Sequence, residues 1–184
     1  MTRTLRRLSL MLVASAIGAA ACRGTHPAPQ FAWDKTADFA DLKTYAWWVG
    51  PGYPPAHGDS IIDGTFIEQH VRAAVDANLS SKGYRKVDAA SAGLLVGVLT
   101  GDTGVTDEVK DPNYAWLTGY EVDMYEKSRQ VTIDFRNAKK LLVWRGSITR
   151  LEGENPEAAG REIRSESDTL LAKFPPPPGA APTN

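Results

Sequence analysis

The chain has 184 residues, 42% hydrophobic and 23% charged, with one Cys and basic and acidic counts of 21 and 22. That length suits one domain of ordinary size, and those fractions exclude wholesale disorder and a multi-span membrane protein. A single Cys builds no disulfide scaffold, and nearly cancelling charge leaves no footprint for neutralising nucleic-acid phosphates.

Arg3, Arg6 and Arg7 precede an apolar run, Leu8 to Ala21, that closes on Gly18-Ala19-Ala20-Ala21 directly before Cys22. A cationic start, a short apolar middle and a small-residue end make the order of a secretory signal peptide. At 14 residues the run falls short of the roughly 20 that a spanning helix needs. The segment resembles the lipobox of bacterial lipoproteins, in which the Cys sulfur receives a diacylglyceryl group and cleavage frees an amine that is then acylated. Ala19 stands where that pattern prefers Leu. The alternative is ordinary signal-peptidase cleavage after Ala21, which leaves a free thiol. Each acyl CH₂ buried in a bilayer contributes about 0.8 kcal/mol, so two or three chains at Cys22 make a durable tether. Removing residues 1–21 takes away three Arg and no acids, leaving 18 basic against 22 acidic residues, a balance of −4. Lipid, rather than attraction to an anionic surface, is expected to hold such a body at a membrane.

Residues 22–30, with Gly24, Pro27 and Pro29, read as an extended tether. Strands are expected at Gln30–Asp34 and Thr44–Val49, with Tyr45 and Trp47 on one face of the second and Trp48 on the other. Ile62, Phe66, Ile67, Val71, Ala74, Val75 and Leu79 then recur at spacings of three and four, which predicts a helix over 60–82. Ser60 with Asp63 caps its start and Gly83 stops it. Two more strands follow at Tyr84–Asp88 and Leu94–Gly101. After a long connection, Asp102 to Lys127, Val131, Ile133 and Phe135 alternate with Thr132, Asp134 and Arg136. The Asn137-Ala138-Lys139 turn makes Arg129–Arg136 and Lys140–Thr149 a hairpin, in which Leu142 and Trp144 oppose Leu141 and Val143. A second helix starts at Asn155 as cap, with Pro156 in its first turn and a stripe of Ala159, Ile163, Leu170, Leu171 and Phe174. Residues 177–184 are a Pro-rich tail. The fold class is α+β: a single mostly antiparallel sheet of about six strands with two helices packed on one face. The other face still carries apolar side chains, covered by the long connection or by a partner.

Asp38-Phe39, Lys43-Thr44-Tyr45-Ala46-Trp47, Lys82-Gly83-Tyr84, Leu94-Leu95-Val96, Thr132-Ile133-Asp134, Leu142-Val143-Trp144-Arg145-Gly146 and Leu170-Leu171-Ala172-Lys173-Phe174-Pro175-Pro176 follow one another in the chain. In these blocks, over residues 31–176, the chain resembles the bacterial lipoproteins grouped as domain-of-unknown-function family forty-one thirty-six. The resemblance implies an envelope lipoprotein and brings no catalytic residues with it. The family's usual turn, Asp-Ala-Lys-Thr-Gly-Lys, is shortened here to Asn137-Ala138-Lys139-Lys140, which tightens the hairpin.

Signs of chemistry are sparse. Asp102-Thr103-Gly104 looks like an aspartic-protease loop, but that reaction needs a second such carboxylate and the chain has no second Asp-Thr/Ser-Gly. Asp102, Asp107, Glu108 and Asp111 lack the regular spacing of a calcium loop and read as a solvated acidic segment. His26, His57 and His70 are scattered, and His70 beside the helix stripe reads as structural. There is no phosphate-binding loop, nucleophile elbow or His-Glu-x-x-His. The long connection carries Tyr114, Trp116, Tyr120 and Tyr125, rings suited either to a binding surface or to a lid over the sheet.

The expectation is a binding or accessory module without enzymatic activity, metal or cofactor. It is held by lipid at Cys22 on the periplasmic face of the outer membrane, because Arg23 rather than Asp follows the Cys. Tyr45, Trp48, Tyr114, Trp116, Tyr120 and Tyr125 are its candidates for contact with an envelope protein, lipid or glycan, and nucleic acid is not an expected partner. The alternatives are a hydrolase using the 102–111 acids and a self-associating structural module.

Overall fold

One glycine and one asparagine set helix ends. In the computed structural model, which describes residues 29–48, 64–100, 112–117, 129–150 and 155–176, α1 spans Gly64–Ser81 and α2 spans Pro156–Leu171. Beyond α1, the Tyr84 N–H donates to the Leu79 carbonyl and the Gly83 N–H to that of Ser80, each at 3.0 Å. This reciprocal pair needs a left-handed residue, which Gly83 supplies at φ +82°. A Cβ at Gly83 would meet nothing within 4 Å, so Gly83→Ala is expected to cost backbone strain alone, about 1 kcal/mol, read as a lower urea midpoint. At α2, the Asn155 side chain accepts from the N–H groups of Glu157 and Ala158 at 3.0 and 3.2 Å. Pro156 follows, where a missing N–H costs nothing. Ile62 and the expected cap of Ser60 and Asp63 lie outside the described residues.

The described stripes are buried apart from Phe66, which is only partly so: Ile67, Val71, Ala74, Val75 and Leu79 on α1, and Ala159, Ile163, Leu170 and Leu171 on α2, followed by Phe174. The larger of these each contribute on the order of 1.5–3 kcal/mol before entropy. The helices approach closely where Gly160 meets His70, since a Cβ there would lie 2.6 Å from His70 Nε2. His70 is half-buried and its Nδ1 accepts from Arg164 at 2.7 Å, a structural role.

The strands are β1 (Gln30–Trp33), β2 (Thr44–Trp47), β3 (Arg85–Lys86), β4 (Leu94–Thr100), β5 (Arg129–Asn137) and β6 (Leu142–Arg150). They form one six-stranded sheet in the order β1-β6-β5-β4-β2-β3. Pairing is antiparallel from β1 through β6 and β5 to β4, and parallel where β2 meets β4 and β3. The parallel part arises because α1 returns the chain to its starting end before β3. This is the α+β arrangement that the alternation of periods predicts.

The core lies between the helices and one sheet face. Tyr45, Leu94, Val96, Val98, Val131, Ile133, Phe135, Trp144 and Ile148 point into it. One expectation fails at the start of β6. Phe135 pairs with Trp144, but Arg136 pairs with Leu142, so Val143 is an extra residue, a β-bulge. Strict alternation would put Leu142 with Trp144. Instead Val143 and Trp144 both join the core, while Leu142 packs with Ala32 and Leu117. The hairpin itself closes through Asn137, whose Oδ1 accepts from the N–H groups of Lys139 and Leu141 at 2.9 and 3.1 Å.

Candidate functional site

Alternation along β2 separates two of the candidate residues. Tyr45 faces the helices at 2% exposure, and its hydroxyl donates to Asp76 Oδ1 at 2.8 Å. Trp47 Nε1 donates to the same oxygen at 3.2 Å, and Lys86 Nζ meets Asp76 Oδ2 at 2.9 Å. Arg72 lies 4.3 Å over the Trp47 ring. Asp76 on α1 thus ties the helix to β2 and β3. Burial first, then the Asp76 hydrogen bond and its charge, raise the Tyr45 pKa above the ordinary tyrosine value. Burial alone also raises that of Tyr84.

The sign of the resulting pH dependence follows. Above about pH 10 an unfolded chain gives up these protons while the folded one keeps them, so stability present below that pH is lost as pH rises. Lys82 acts oppositely. Burial lowers its pKa, so its contribution improves toward about pH 10.5. With two tyrosines against one lysine, urea unfolding is expected to show stability falling above about pH 10, and falling less steeply in Tyr45→Phe.

Trp48 is on the second face, half-buried against Ala46, Ala92, Leu95 and Val87, with Lys140 Nζ 5.1 Å from its ring. Trp116 belongs to a different patch of that face. It sits on a 3₁₀ helix, Pro112–Leu117, that lays Leu117, fully buried, against Ala32 and Leu142. This part of the long connection acts as a cover over β1 and β6. Tyr114 is on the backbone of the same short helix, with its side chain outside the described residues. Cys22, Tyr120, Tyr125 and the acids Asp102, Asp107, Glu108 and Asp111 also lie outside them. The described candidates therefore do not converge: Tyr45 belongs to the core, and Trp48 and Trp116 to two separated patches.

Between those patches sits a feature that alternation misassigns to solvent. Asp134 on β5 and Arg145 on β6 are direct cross-strand partners, 0% and 1% exposed. Arg145 Nε and a terminal guanidinium nitrogen donate to the two carboxylate oxygens at 2.7 and 2.6 Å, a bidentate fork. Arg136 adds a longer approach at 3.8 Å, and Thr132 and Ser147 beside them are buried too. Their direct opposition depends on the extra residue at Val143, which the hairpin register expected from sequence does not contain. Such a pair, closed from water and already forked, holds the hairpin together and offers no free acid or base. Among the described residues, no group of three or more His, Cys, Asp or Glu is placed to hold a metal ion.

Among the described residues a groove of about 200 Å³ lies between the β1–β2 connection and the residues after α2, lined by Trp33, Asp34, Phe39, Lys43, Pro175 and Pro176 among others.

Over residues 30–176 the chain matches the family described as Domain of unknown function (DUF4136). It is a member of that family. Among curated proteins no relative matches. Similar solved structures include a PDZ domain protein from Parabacteroides distasonis, with TM-score 0.50 and 13% identity, which shares 80% of this chain and 35% of its own. The DUF4136 chain thus spans about a third of that protein, and the likeness concerns the fold alone. A PelC dodecamer from Paraburkholderia phytofirmans aligns with TM-score 0.42 and 10% identity, over 78% of this chain and 95% of that one.

Proposed function

We propose that this DUF4136 protein is an exported lipoprotein, held by acyl chains on Cys22 at the periplasmic face of the outer membrane, and that its domain binds a partner rather than catalysing a reaction. The N-terminal order carries the reading: three Arg, an apolar run of 14 residues, small residues, and the chain's only Cys at their end. Among the described residues no helix is long and apolar enough to cross a membrane. Sheet order adds support, since β1 begins eight residues after Cys22, a tether of at most about 29 Å. Two interior polar pairs, Asp134 with Arg145 and Tyr45 with Asp76, are engaged with each other, which supports a structural role for these four residues.

The test is intact-mass spectrometry of the chain extracted from bacterial membranes. Loss of residues 1–21 and a mass gain of diacylglyceryl plus one acyl group, both abolished in Cys22→Ser, are expected. A mature chain of unmodified mass, or one that plain buffer releases from vesicles, overturns the anchor.

A further inference from the structure

The net charge conceals where the charges sit. β4, β2 and β3 begin at one end of the sheet, where the β5–β6 hairpin turns and β1 finishes, as the register of Leu94 with Asn137, Tyr45 with Leu94 and Trp33 with Trp144 shows. α1 and α2 also finish there, joined by Lys82, whose Nζ donates to the carbonyls of Leu171 and Phe174. All seven lysines of the described residues lie at this end: Lys35, Lys43, Lys82, Lys86, Lys139, Lys140 and Lys173. With Arg85 and Arg136 they make nine cations against six carboxylates, Asp34, Asp38, Asp41, Asp76, Asp88 and Asp168. The excess of three stands against −4 for the chain after residue 21. The compensating acids are elsewhere in the sequence: 49–63, 101–111, 118–128 and 151–154 hold eleven Asp and Glu and two Lys.

The groove opens at the same lysine-bearing end. Trp33 and Phe39 give it apolar walls, with Lys35 and Lys43 exposed among its lining residues. Its two acids each have one oxygen engaged by their own loop: Asp34 Oδ1 accepts from Thr36 and Asp38 Oδ1 from Ala40. Nearby, the hairpin tip presents Leu141, half exposed, beside exposed Lys139 and Lys140.

We infer that this end of the domain docks an acidic segment of a partner protein, with an apolar side chain of that segment in the groove and its carboxylates against Lys35, Lys43, Lys139 and Lys140. Lysines spread over a surface attract carboxylates from any direction, whereas the recess asks for a side chain of its own size. A flat anionic bilayer fits less well. It cannot enter the groove, and it would press phosphates onto Asp34, Asp38, Asp41 and Asp88. β1 also starts away from this end, Gln30 pairing with Ser147 beyond the middle of β6, so the lysines are not on the residues that join the Cys22 tether. The inference deepens the binding-module reading and rests on it.

The test uses the chain from residue 22 with Cys22→Ser, so that no lipid contributes, and follows backbone amide NMR shifts during titration. The probe is a synthetic peptide with one Phe flanked by glutamates; the comparisons are its glutamine counterpart and vesicles containing phosphatidylglycerol. Shifts confined to residues 34–43, 137–141 and 172–176, and weakened about tenfold between roughly 20 and 200 mM salt, are expected with the glutamate peptide alone. Lys35→Glu with Lys43→Glu, and separately Lys139→Glu with Lys140→Glu, should each weaken binding about tenfold, while Arg161→Glu on the exposed side of α2 should not. All of these replace surface residues, and the amide spectrum itself reports whether each variant folds. Vesicle binding without peptide binding, shifts elsewhere, or no shifts at all overturn the inference. The mass measurement on Cys22 judges the anchor independently.

Discussion

Arg145→Met alone is expected to lower the unfolding free energy by about 3–5 kcal/mol, and Asp134→Leu alone by a similar amount, whereas the double variant should unfold within about 1 kcal/mol of the parent or later. The reasoning is one of desolvation. Both groups are essentially without solvent contact, and the fork at 2.6 and 2.7 Å is what makes their burial tolerable. Taking one partner leaves a full charge in a site where water cannot replace the lost bonds, and that cost dominates. Taking both leaves two apolar side chains opposite each other, with Ala32 and Gly97 as their cross-strand neighbours on β1 and β4. Urea unfolding of the four proteins gives the coupling directly. A single-variant loss below about 1 kcal/mol would mean that water reaches the pair, and the description of the second face would be wrong.

The pair also does something an apolar substitute cannot. Asp134 and Arg145 face each other in register, so sliding β6 by one residue would send Arg145 into the aromatic core and bring Trp144 to the other face. The bulge at Val143 makes such a slip more than a formal alternative, because it already breaks alternation next door. The double apolar variant should therefore fold with comparable stability and show extra or broadened amide resonances for β6.

These details explain what the sequence could disclose. The helices were legible because Ile67, Val71, Val75 and Leu79 repeat with a helical period that only one buried face explains, and because Gly83 and Asn155 mark their ends chemically. β5 was legible for the same reason at period two. Asp134 and Arg145 were not, since a charged residue on an alternating strand reads as solvent-facing. Their burial depends on what covers the second face, including a 3₁₀ helix at 112–117 with too few turns to show any period. The bulge was illegible because it needs Phe135 and Leu142 considered together. Tyr45 and Trp48 were correctly placed on opposite faces, but alternation does not say which face meets the helices, and so a core tyrosine entered the list of contact candidates. The lysine-bearing end was hidden differently. Lys35, Lys82, Lys139 and Lys173 are far apart in the chain, and only the strand order gathers them.

Phe174→Ala is the second large effect, expected to cost about 3–5 kcal/mol, a large share of the 5–15 kcal/mol that holds an ordinary domain together. Phe174 lies beyond α2, where a helical stripe would no longer require a buried residue, yet it is 1% exposed. Its ring stacks on Phe135 at 4.1 Å and 4° and meets Trp144 and Phe39 nearly at right angles, each at 5.6 Å, with Tyr84 tilted at 5.9 Å. One side chain thus joins β5, β6, the β1–β2 connection and the turn after α1. Removing it takes away the shared partner of four rings, each such contact being worth about 0.5–1.5 kcal/mol beyond area, and the rigid rings around it cannot collapse into the space. Phe174→Leu should recover roughly half of the loss, since it refills most of the volume without the stacking. Urea unfolding separates the cases. The same variant also probes the lysine-bearing end, because Phe39 lines the groove and rests edge-on against Phe174. Phe174→Leu should therefore keep the fold while weakening the glutamate peptide more than a destabilising substitution in the buried first turn of α2, such as Ala159→Gly.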